Sequence, residues 1–171
     1  MKYLSKMVFA ALSLLVISNK INAQATATAT ATATIVTPIS IVKNTDMNFG
    51  NIAVQAGTAG TVTLPPTLAA TRSSTGGVTL PAVTGTVTAA KFTVSGTSGY
   101  TYTIVLPSSA VVLSDGATHT MNATSFVNST AGTLTGGSEF FYVGATLAVA
   151  AAQTPGVYTT ATPFNVTVNY N

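Results

Sequence analysis

The sequence contains no cysteine and no tryptophan, only one histidine, and charged residues make up just 5% of it. Without cysteine the chain forms no disulfides and no thiolate metal sites, so its stability must come from burial and backbone pairing. The acidic residues are only Asp46, Asp115 and Glu139. One imidazole and three scattered carboxylates are too few for an ordinary protein metal site. We therefore expect no metal and no cofactor.

The charge pattern argues against a nucleic-acid partner. The formal net charge is +3, but three of the six basic residues, Lys2, Lys6 and Lys20, lie at the very start of the chain. The remaining sequence holds as many acidic as basic residues, and the basic ones are far apart. A phosphate-binding surface needs clustered lysine and arginine, so the basic isoelectric point does not indicate nucleic-acid binding.

The first residues, MKYLSKMVFAALSLLVISNKINAQ, have the three-part layout of a secretory signal peptide. A positive start precedes an apolar core at 7–17, which is shorter than the roughly twenty residues needed to span a bilayer. Ala23 supplies a small residue before a cut ahead of Gln24. We expect cleavage of 1–23 and export to the cell surface, the outer membrane or the extracellular space. Removing 23 residues from the 171 leaves 148, enough for one domain.

The predicted mature chain begins with a regular tract, QATATATATATIVTPISIV. Threonine at every second position disfavours a helix, and a period of two is typical of an extended strand. One face of that strand carries Ala25, Ala27, Ala29, Ala31, Ala33 and Ile35. We predict that 24–34 is an extended tail that pairs with another chain or with the protein's own sheet. The alternative is a low-complexity spacer.

The body of the chain shows strand patterns separated by turn formers. Alternating apolar and polar residues, rich in Thr, Val, Tyr and Phe, predict strands at 35–42, 85–96, 100–106, 140–149 and 164–171. Turn residues punctuate the chain at 48–51, 56–60, 74–77, 95–99, 114–116, 135–137 and 154–156. This pattern predicts an all-β fold, with a single helical turn at 148–152.

The residues that could support catalysis are few. His119 follows Asp115 by four positions, and the candidate serines are Ser114, Ser125 and Ser138. A serine–histidine–aspartate site needs the serine held against the imidazole, and glycosidases need two facing carboxylates. The segment 114–120 is better interpreted as a polar hairpin turn containing Asp-Gly. We therefore expect a non-enzymatic protein without catalytic residues.

Five stretches together carry a family resemblance. They are MNFGNI (47–52), FTVSGTSGYTYTI (92–104), FYVGATL (141–147), PGVY (155–158) and FNVTVNY (164–170). In this order, behind a signal peptide, they resemble an uncharacterised secreted pilin-like β-sandwich domain family of Gram-negative bacteria, which is similar to spore coat protein U and chaperone–usher pilins. The resemblance implies an immunoglobulin-like antiparallel β-sandwich at 35–171 that lacks one strand. In such pilins the N-terminal extension of the next subunit fills the gap.

This resemblance implies a structural subunit of a fimbrium or pilus-like surface fibre. The strand-donating residues would be those of the alanine face and Ile35, and the partners would be a second copy and a periplasmic chaperone or outer-membrane assembly machinery. The alternative is a monomeric surface binding module, adhesin- or lectin-like, with the tract as a spacer and a carbohydrate or host-surface ligand. Sugar-stacking candidates are Tyr100, Tyr102, Tyr142, Tyr158 and Tyr170, although their phase with Ile, Leu and Val predicts positions on core faces or sandwich edges.

Overall fold

The structure is a computed structural model that describes residues 24–130 and 132–171. The predicted signal peptide, including Ala23, lies outside the described residues. The chain divides into two units at Ile35, and the unit from Val36 to Asn171 holds all the strands described below. Among the described residues, no helix has the length and apolar character needed to cross a membrane.

In the described residues of 36–171 the regular secondary structure consists of antiparallel strands and one short 3₁₀ turn at Thr135–Gly137. The strands are β1 (Ser40–Thr45), β2 (Asn48–Phe49), β3 (Ala53–Val54), β4 (Gly60–Leu64), β5 (Ser73–Gly76), β6 (Val78–Thr79), β7 (Val87–Thr88), β8 (Ala90–Ser95), β9 (Tyr102–Val105), β10 (Val111–Ser114), β11 (Thr120–Asn128), β12 (Ser138–Val149), β13 (Thr159–Thr160) and β14 (Thr167–Tyr170).

The main sheet has the order β1-β8-β12-β11-β10-β13, with β4 beside β12 and β5 beside β4. Three further two-stranded sheets pair β14 with β9, β2 with β7 and β3 with β6. This architecture confirms the predicted all-β, antiparallel β-sandwich class.

The long strand β12 changes partner along one of its edges. Its first half, 138–143, pairs with β8, and its second half, 145–149, pairs with β4. The switch falls at Gly144, where a Cβ atom would overlap the carbonyl oxygen of Leu64. Glycine is therefore needed at this close approach of two backbones.

The predicted period of two is confirmed in several strands. In β14 and the residues before it, Phe164, Val166, Val168 and Tyr170 are buried or half-buried and the residues between them are exposed. Tyr102, in the strand β9 that pairs with β14, is also buried. Side chains of a strand point alternately to opposite faces, so one apolar face of this pair packs on the core.

Several local predictions were wrong. The first strand begins at Ser40, and residues 24–39 belong to no strand, whereas a continuous strand through 35–42 was expected. Pro38 lacks an N–H group, which disfavours sheet pairing there. Residues 148–152 form the end of β12 and a turn instead of a helical turn, and β5 occupies most of the predicted turn at 74–77.

Two groups of buried side chains form the core. The first group, called here the sealed cluster, contains Ala90, Phe92, Val94, Tyr102, Leu134, Phe141, Val143 and Val168. The second group, called here the open cluster, contains Phe49, Val62, Leu64, Val78, Ala123, Ala145, Leu147 and Val149. The two halves of β12 contribute to different clusters, so this strand connects them.

An open apolar groove as the candidate functional site

An apolar groove opens between two chain segments that include β1 and β13, the two end strands of the main sheet. One wall comes from 41–54, which contains β1, β2 and β3, and the other comes from 153–166. The groove has a volume of about 1190 Å³. Typical small-molecule pockets measure roughly 300–1,000 Å³, so the volume of this groove lies just above that range.

The floor of the groove is formed by strands of the main sheet. Phe92 from β8, Leu113 from β10, Met121 from β11 and Leu147 from β12 all line it. Leu147 is fully buried, whereas Leu113 and Met121 stay half-buried. The alternation of each strand turns these apolar side chains to one face, and part of that face is left uncovered.

Large side chains dominate the sides of the groove. Met47 and Phe49 stand on one wall, and Phe164 stands on the other. The Phe164 ring lies 5.1 Å from the ring of Phe126 on β11, measured between centroids. Large apolar side chains therefore supply much of the apolar surface on both walls.

The groove is electrically neutral apart from its rim. The lining residues include only two charged groups, Lys43 and Asp46, and the Lys43 ammonium donates a hydrogen bond to Asp46 Oδ1 at 2.6 Å. Both side chains are exposed to solvent, where an ion pair contributes little to stability. The interior therefore favours an uncharged, apolar surface as its ligand.

Incompletely paired strand edges border the groove. In the described part of the chain, β1 has β8 as its single strand partner, and β13 pairs with β10 only at Leu113 and Ser114. Residues 161–166 of the second wall belong to no strand. Such edges present backbone N–H and C=O groups that accept another strand.

Arg72 supports the first wall from behind, and the sequence carried no signal for it. This arginine is only 9% exposed, and its guanidinium donates hydrogen bonds to the carbonyl oxygens of Phe49 and Thr84. Burial lowers the pKa of Arg72 from its ordinary value. A single arginine in a polar stretch gave no reason to expect this contact, which depends on tertiary folding.

The residues predicted to donate a strand lie in the exposed tail. Ile35 is 97% exposed. Gln24 and the alanines are also exposed and belong to no strand, namely Ala25, Ala27, Ala29, Ala31 and Ala33. Pairing of this tail with a second copy stays a prediction.

The predicted hairpin at 114–120 is confirmed. It connects β10 to β11, and Asp115 accepts a hydrogen bond from the Ala117 N–H at 2.8 Å and lies 2.7 Å from His119 Nδ1. The hydrogen bond with His119, followed by that with Ala117, lowers the pKa of Asp115.

The candidate serines lie in separate settings. Ser114 Oγ accepts from the Gly116 N–H, Ser125 lies at a register break of β11, and Ser138 Oγ donates to the Val94 carbonyl. None of their hydrogen bonds in the described residues reaches His119. Within the described residues, His, Asp and Glu form no group of three that could hold a metal ion.

The tyrosines divide between the core and the outer surface. Tyr102 is 2% exposed, which confirms its predicted core position. Tyr142 is different, because it lies on the outer face of β12 next to Phe140, which is 57% exposed. The Lys91 ammonium lies 4.5 Å from the centroid of the Phe140 ring. Tyr142 is half-buried and does not lie on a core face.

The fold and the groove define the class of protein: an all-β antiparallel sandwich with an open apolar groove bordered by strand edges. The family model described as a domain of unknown function, DUF4402, matches residues 39–170, and the chain belongs to this family. No curated protein and no solved structure matches the chain. The matched segment contains both walls and the floor of the groove, and the alanine–threonine tract precedes it.

Proposed function

We propose that this protein is a non-enzymatic, exported structural subunit of a pilin-like surface fibre, and that its groove accepts a strand donated by a second copy. The observation that carries the proposal is the groove itself, a large, mainly neutral and apolar surface bordered by strand edges. A sandwich that lacks one strand leaves such a surface, and β-strand addition is the recurrent way to fill it. The pilin-like and immunoglobulin-like relationship is part of this proposal.

The chemistry of the tail supports the second copy as the donor. The tract is uncharged and exposed, and its alternation sets a row of alanines opposite a row of threonines. Alanine methyls are small and apolar, which complements walls that already carry the large residues Met47, Phe49 and Phe164. The threonine row would then face solvent, where its hydroxyls stay hydrated.

The expected free energy of strand insertion has two parts, one from burying the alanine methyls and one from backbone hydrogen bonds. Five buried alanine methyls contribute about 4 kcal/mol, at about 0.8 kcal/mol for each carbon. A ten-residue strand is about 33 Å long, so backbone hydrogen bonds along it add to this sum. Because neither the tract nor the groove interior is charged, insertion carries no cost of burying an unpaired charge.

The test compares two matched triple substitutions in the exported full chain. The first places aspartate on the alanine row at Ala27, Ala29 and Ala31, and the second places aspartate on the threonine row at Thr28, Thr30 and Thr32. We expect regular filaments by negative-stain electron microscopy for the unchanged protein and for the threonine-row variant. The alanine-row variant should form none, because burying each carboxylate costs several kcal/mol.

The matched design separates strand insertion from a general effect of charge. Loss of filaments in both variants would show that charge in the tract, and not one face of it, controls assembly. Single particles for the unchanged protein would overturn the fibre proposal. That outcome would favour a monomeric surface binding module with the tract as a spacer.

One observation favours this second candidate function. Phe140, Tyr142 and Lys91 form an exposed aromatic patch with a neighbouring ammonium on the outer face of the main sheet. Exposed apolar patches on exported proteins are frequent sites of ligand contact. A monomeric protein that binds carbohydrate and loses this binding in a Phe140→Ala variant would support the binding-module function.

A further inference from the structure

The outer face of β1, β8 and β12 carries a patch whose members follow from the strand register. Val42 of β1 and Phe140 of β12 both lie opposite Thr93 of β8, and Tyr142 lies opposite Lys91. Side chains that pair directly across antiparallel strands point to the same face of a sheet. The residues that alternate with them in β8 and β12 belong to the sealed cluster, so these five side chains face away from the core. We call them the outer patch.

The outer patch combines exposed apolar surface with polar groups. Phe140 is 57% exposed and Val42 is 61% exposed. Between them, the Thr93 hydroxyl donates a hydrogen bond to Asn44 Oδ1 at 2.7 Å. The adjacent row across the same three strands consists of Ser40, Ser95 and Ser138. Aromatic carbon beside hydroxyl and amide groups matches a sugar ring, which combines apolar C–H faces with a rim of hydroxyls.

Lys91 adds a positive charge to this surface. Its ammonium lies 4.5 Å from the centroid of the Phe140 ring and 5.9 Å from that of Tyr142. No ion pair within residues 24–130 and 132–171 involves this ammonium. A cation–π contact holds an ammonium in place without neutralising its charge. The charge is therefore available to an anionic ligand that also contacts the Phe140 ring.

The other two basic residues of the described chain are already engaged. Lys43 pairs with Asp46 at 2.6 Å, and the buried guanidinium of Arg72 donates to backbone carbonyl oxygens. The outer patch therefore offers one isolated positive charge. Such a charge suits a ligand with separated carboxylates, whereas a polyphosphate chain requires clustered lysine and arginine.

The backbone beneath the patch is not available to another strand. β8 pairs with β1 on one edge and with β12 on the other, and β12 pairs with β8 and β11. Strand addition needs an unpaired edge, so a peptide strand has no place to bind on β8 or β12 here. A ligand of the outer patch must be held by side chains alone.

We propose that the outer patch binds an acidic polysaccharide built from uronic acids. In this arrangement the rings of Phe140 and Tyr142 contact the C–H faces of the sugars, and the Lys91 ammonium pairs with a carboxylate. The inference rests on the carbohydrate-binding function named above as the second candidate and adds the class of carbohydrate. It applies to a monomer and to a fibre subunit alike, because no member of the outer patch lines the groove.

The test measures binding of the exported full chain to three kinds of probe by isothermal titration calorimetry. The probes are oligosaccharides of galacturonic and mannuronic acid, neutral oligosaccharides of galactose and mannose of the same length, and poly-glutamate, which carries carboxylates without sugar rings. We expect the uronic-acid probes to bind about fivefold more tightly than the neutral ones and about tenfold more tightly than poly-glutamate. The preference over neutral sugars should shrink as the ionic strength rises, because salt screens an exposed ion pair.

Two substitutions separate the contributions of charge and ring. Lys91→Gln should lower the affinity for the uronic-acid probes about fivefold and leave that for neutral sugars unchanged. Phe140→Ala should lower the affinity for both about tenfold, because the stacking surface is lost. Lys43→Gln and Tyr100→Ala are the matched controls, since they remove an equal charge and an exposed aromatic ring outside the outer patch. Both controls should bind as the unchanged protein does.

The outcomes separate this inference from the functions proposed above. Absence of binding to both uronic-acid probes, equal binding of poly-glutamate, or full affinity in Lys91→Gln or Phe140→Ala would overturn it. Equal binding of the neutral sugars would overturn the acidic class and leave carbohydrate binding intact. Negative-stain electron microscopy of the same samples scores filaments. Filaments without uronic-acid binding would overturn this inference alone, and uronic-acid binding without filaments would overturn the fibre proposal alone.

Discussion

The sealed and open clusters are built from the same strand, β12, and their members are similarly buried, yet they differ in what lies beside them. Four members of the open cluster line the groove, namely Phe49, Ala123, Leu147 and Val149, against two of the sealed cluster, Ala90 and Phe92. In the sealed cluster, Phe141, Leu134 and Val143 are fully buried, because β9 and β14 pack over β8 and β12. Beside the open cluster, Leu113 and Met121 remain half-buried on the floor of the groove. Burial of one face therefore depends on whether a second layer is present above it.

This difference indicates which region stabilises the folded single chain and which region is available to bind a partner. Fully covered apolar side chains contribute to folding of the single chain. Apolar side chains left half-covered contribute the remainder only when something covers them. We infer that the sealed half stabilises the subunit and that the groove half is available to stabilise an assembly.

A matched pair of leucines gives the largest expected contrast between the two regions. Leu134→Ala in the sealed cluster should lower the free energy of unfolding by about 3–5 kcal/mol, because it leaves a cavity among fully buried groups. Leu113→Ala in the groove should lower it by only about 1–2 kcal/mol, because less apolar area is lost. Urea denaturation of dilute, monomeric protein measures both values. Equal losses would mean that the groove is covered in the free chain.

The ionisation of the buried Tyr102 phenol provides a test of whether water is excluded from the sealed cluster. Burial first, and then the hydrogen bond to the Glu139 carboxylate at 2.8 Å, raise the pKa of Tyr102. Above about pH 10 the unfolded chain loses this proton while the folded chain keeps it, so stability should fall as the pH rises. Tyr102→Phe should make that fall shallower.

The same substitution also tests the hydrogen bond at neutral pH. Tyr102→Phe leaves a Glu139 oxygen without its donor, which should cost about 1–3 kcal/mol. Urea denaturation at about pH 7, pH 9 and pH 11 follows both effects across the expected window. Tyr100→Phe, on the exposed ring, is the control. An identical alkaline fall in the Tyr102→Phe variant would contradict a shielded phenol.

The smallest effect is expected at the hairpin, which belongs to neither cluster. Hydrogen bonds from His119 and from the Ala117 N–H lower the pKa of Asp115 in the folded chain. Its stabilising contribution is present above the ordinary carboxyl value near 3.9 and is lost as the pH falls through the lower folded value. Asp115→Asn should remove this acid-side dependence. The chemical shifts of residues 115–119 between about pH 5 and pH 2 would report it.

The sequence predicted best where alternation was strict and one face was buried. Tyr102 and Val168 were expected on core faces, and both lie in the sealed cluster. β11 was missed because Ser125, with positive φ, interrupts its alternation at a register break. β4 and β5 were missed because short runs of Thr, Ser and Gly resemble turns more than strands.

The sequence indicated that a groove would be present, but it did not indicate which residues would form it. The resemblance implied a groove, yet no periodicity indicated that Phe164 would approach Phe126 or that Arg72 would support Phe49. These contacts join residues far apart in sequence. Local pattern contains no information on which distant strands become neighbours, so only the folded chain brings them together.

The sequence by itself determined the class of this protein, since the lack of cysteine and charge and the period-two alternation allow few solutions other than stacked antiparallel sheets. It also determined the uncharged, two-faced character of the tail, because side chains of an extended chain point alternately to opposite sides. The tertiary structure alone decided which apolar face is sealed and which is left open. That outcome depends on how the chain segments cover the sheet, which is a property of topology and not of any one segment.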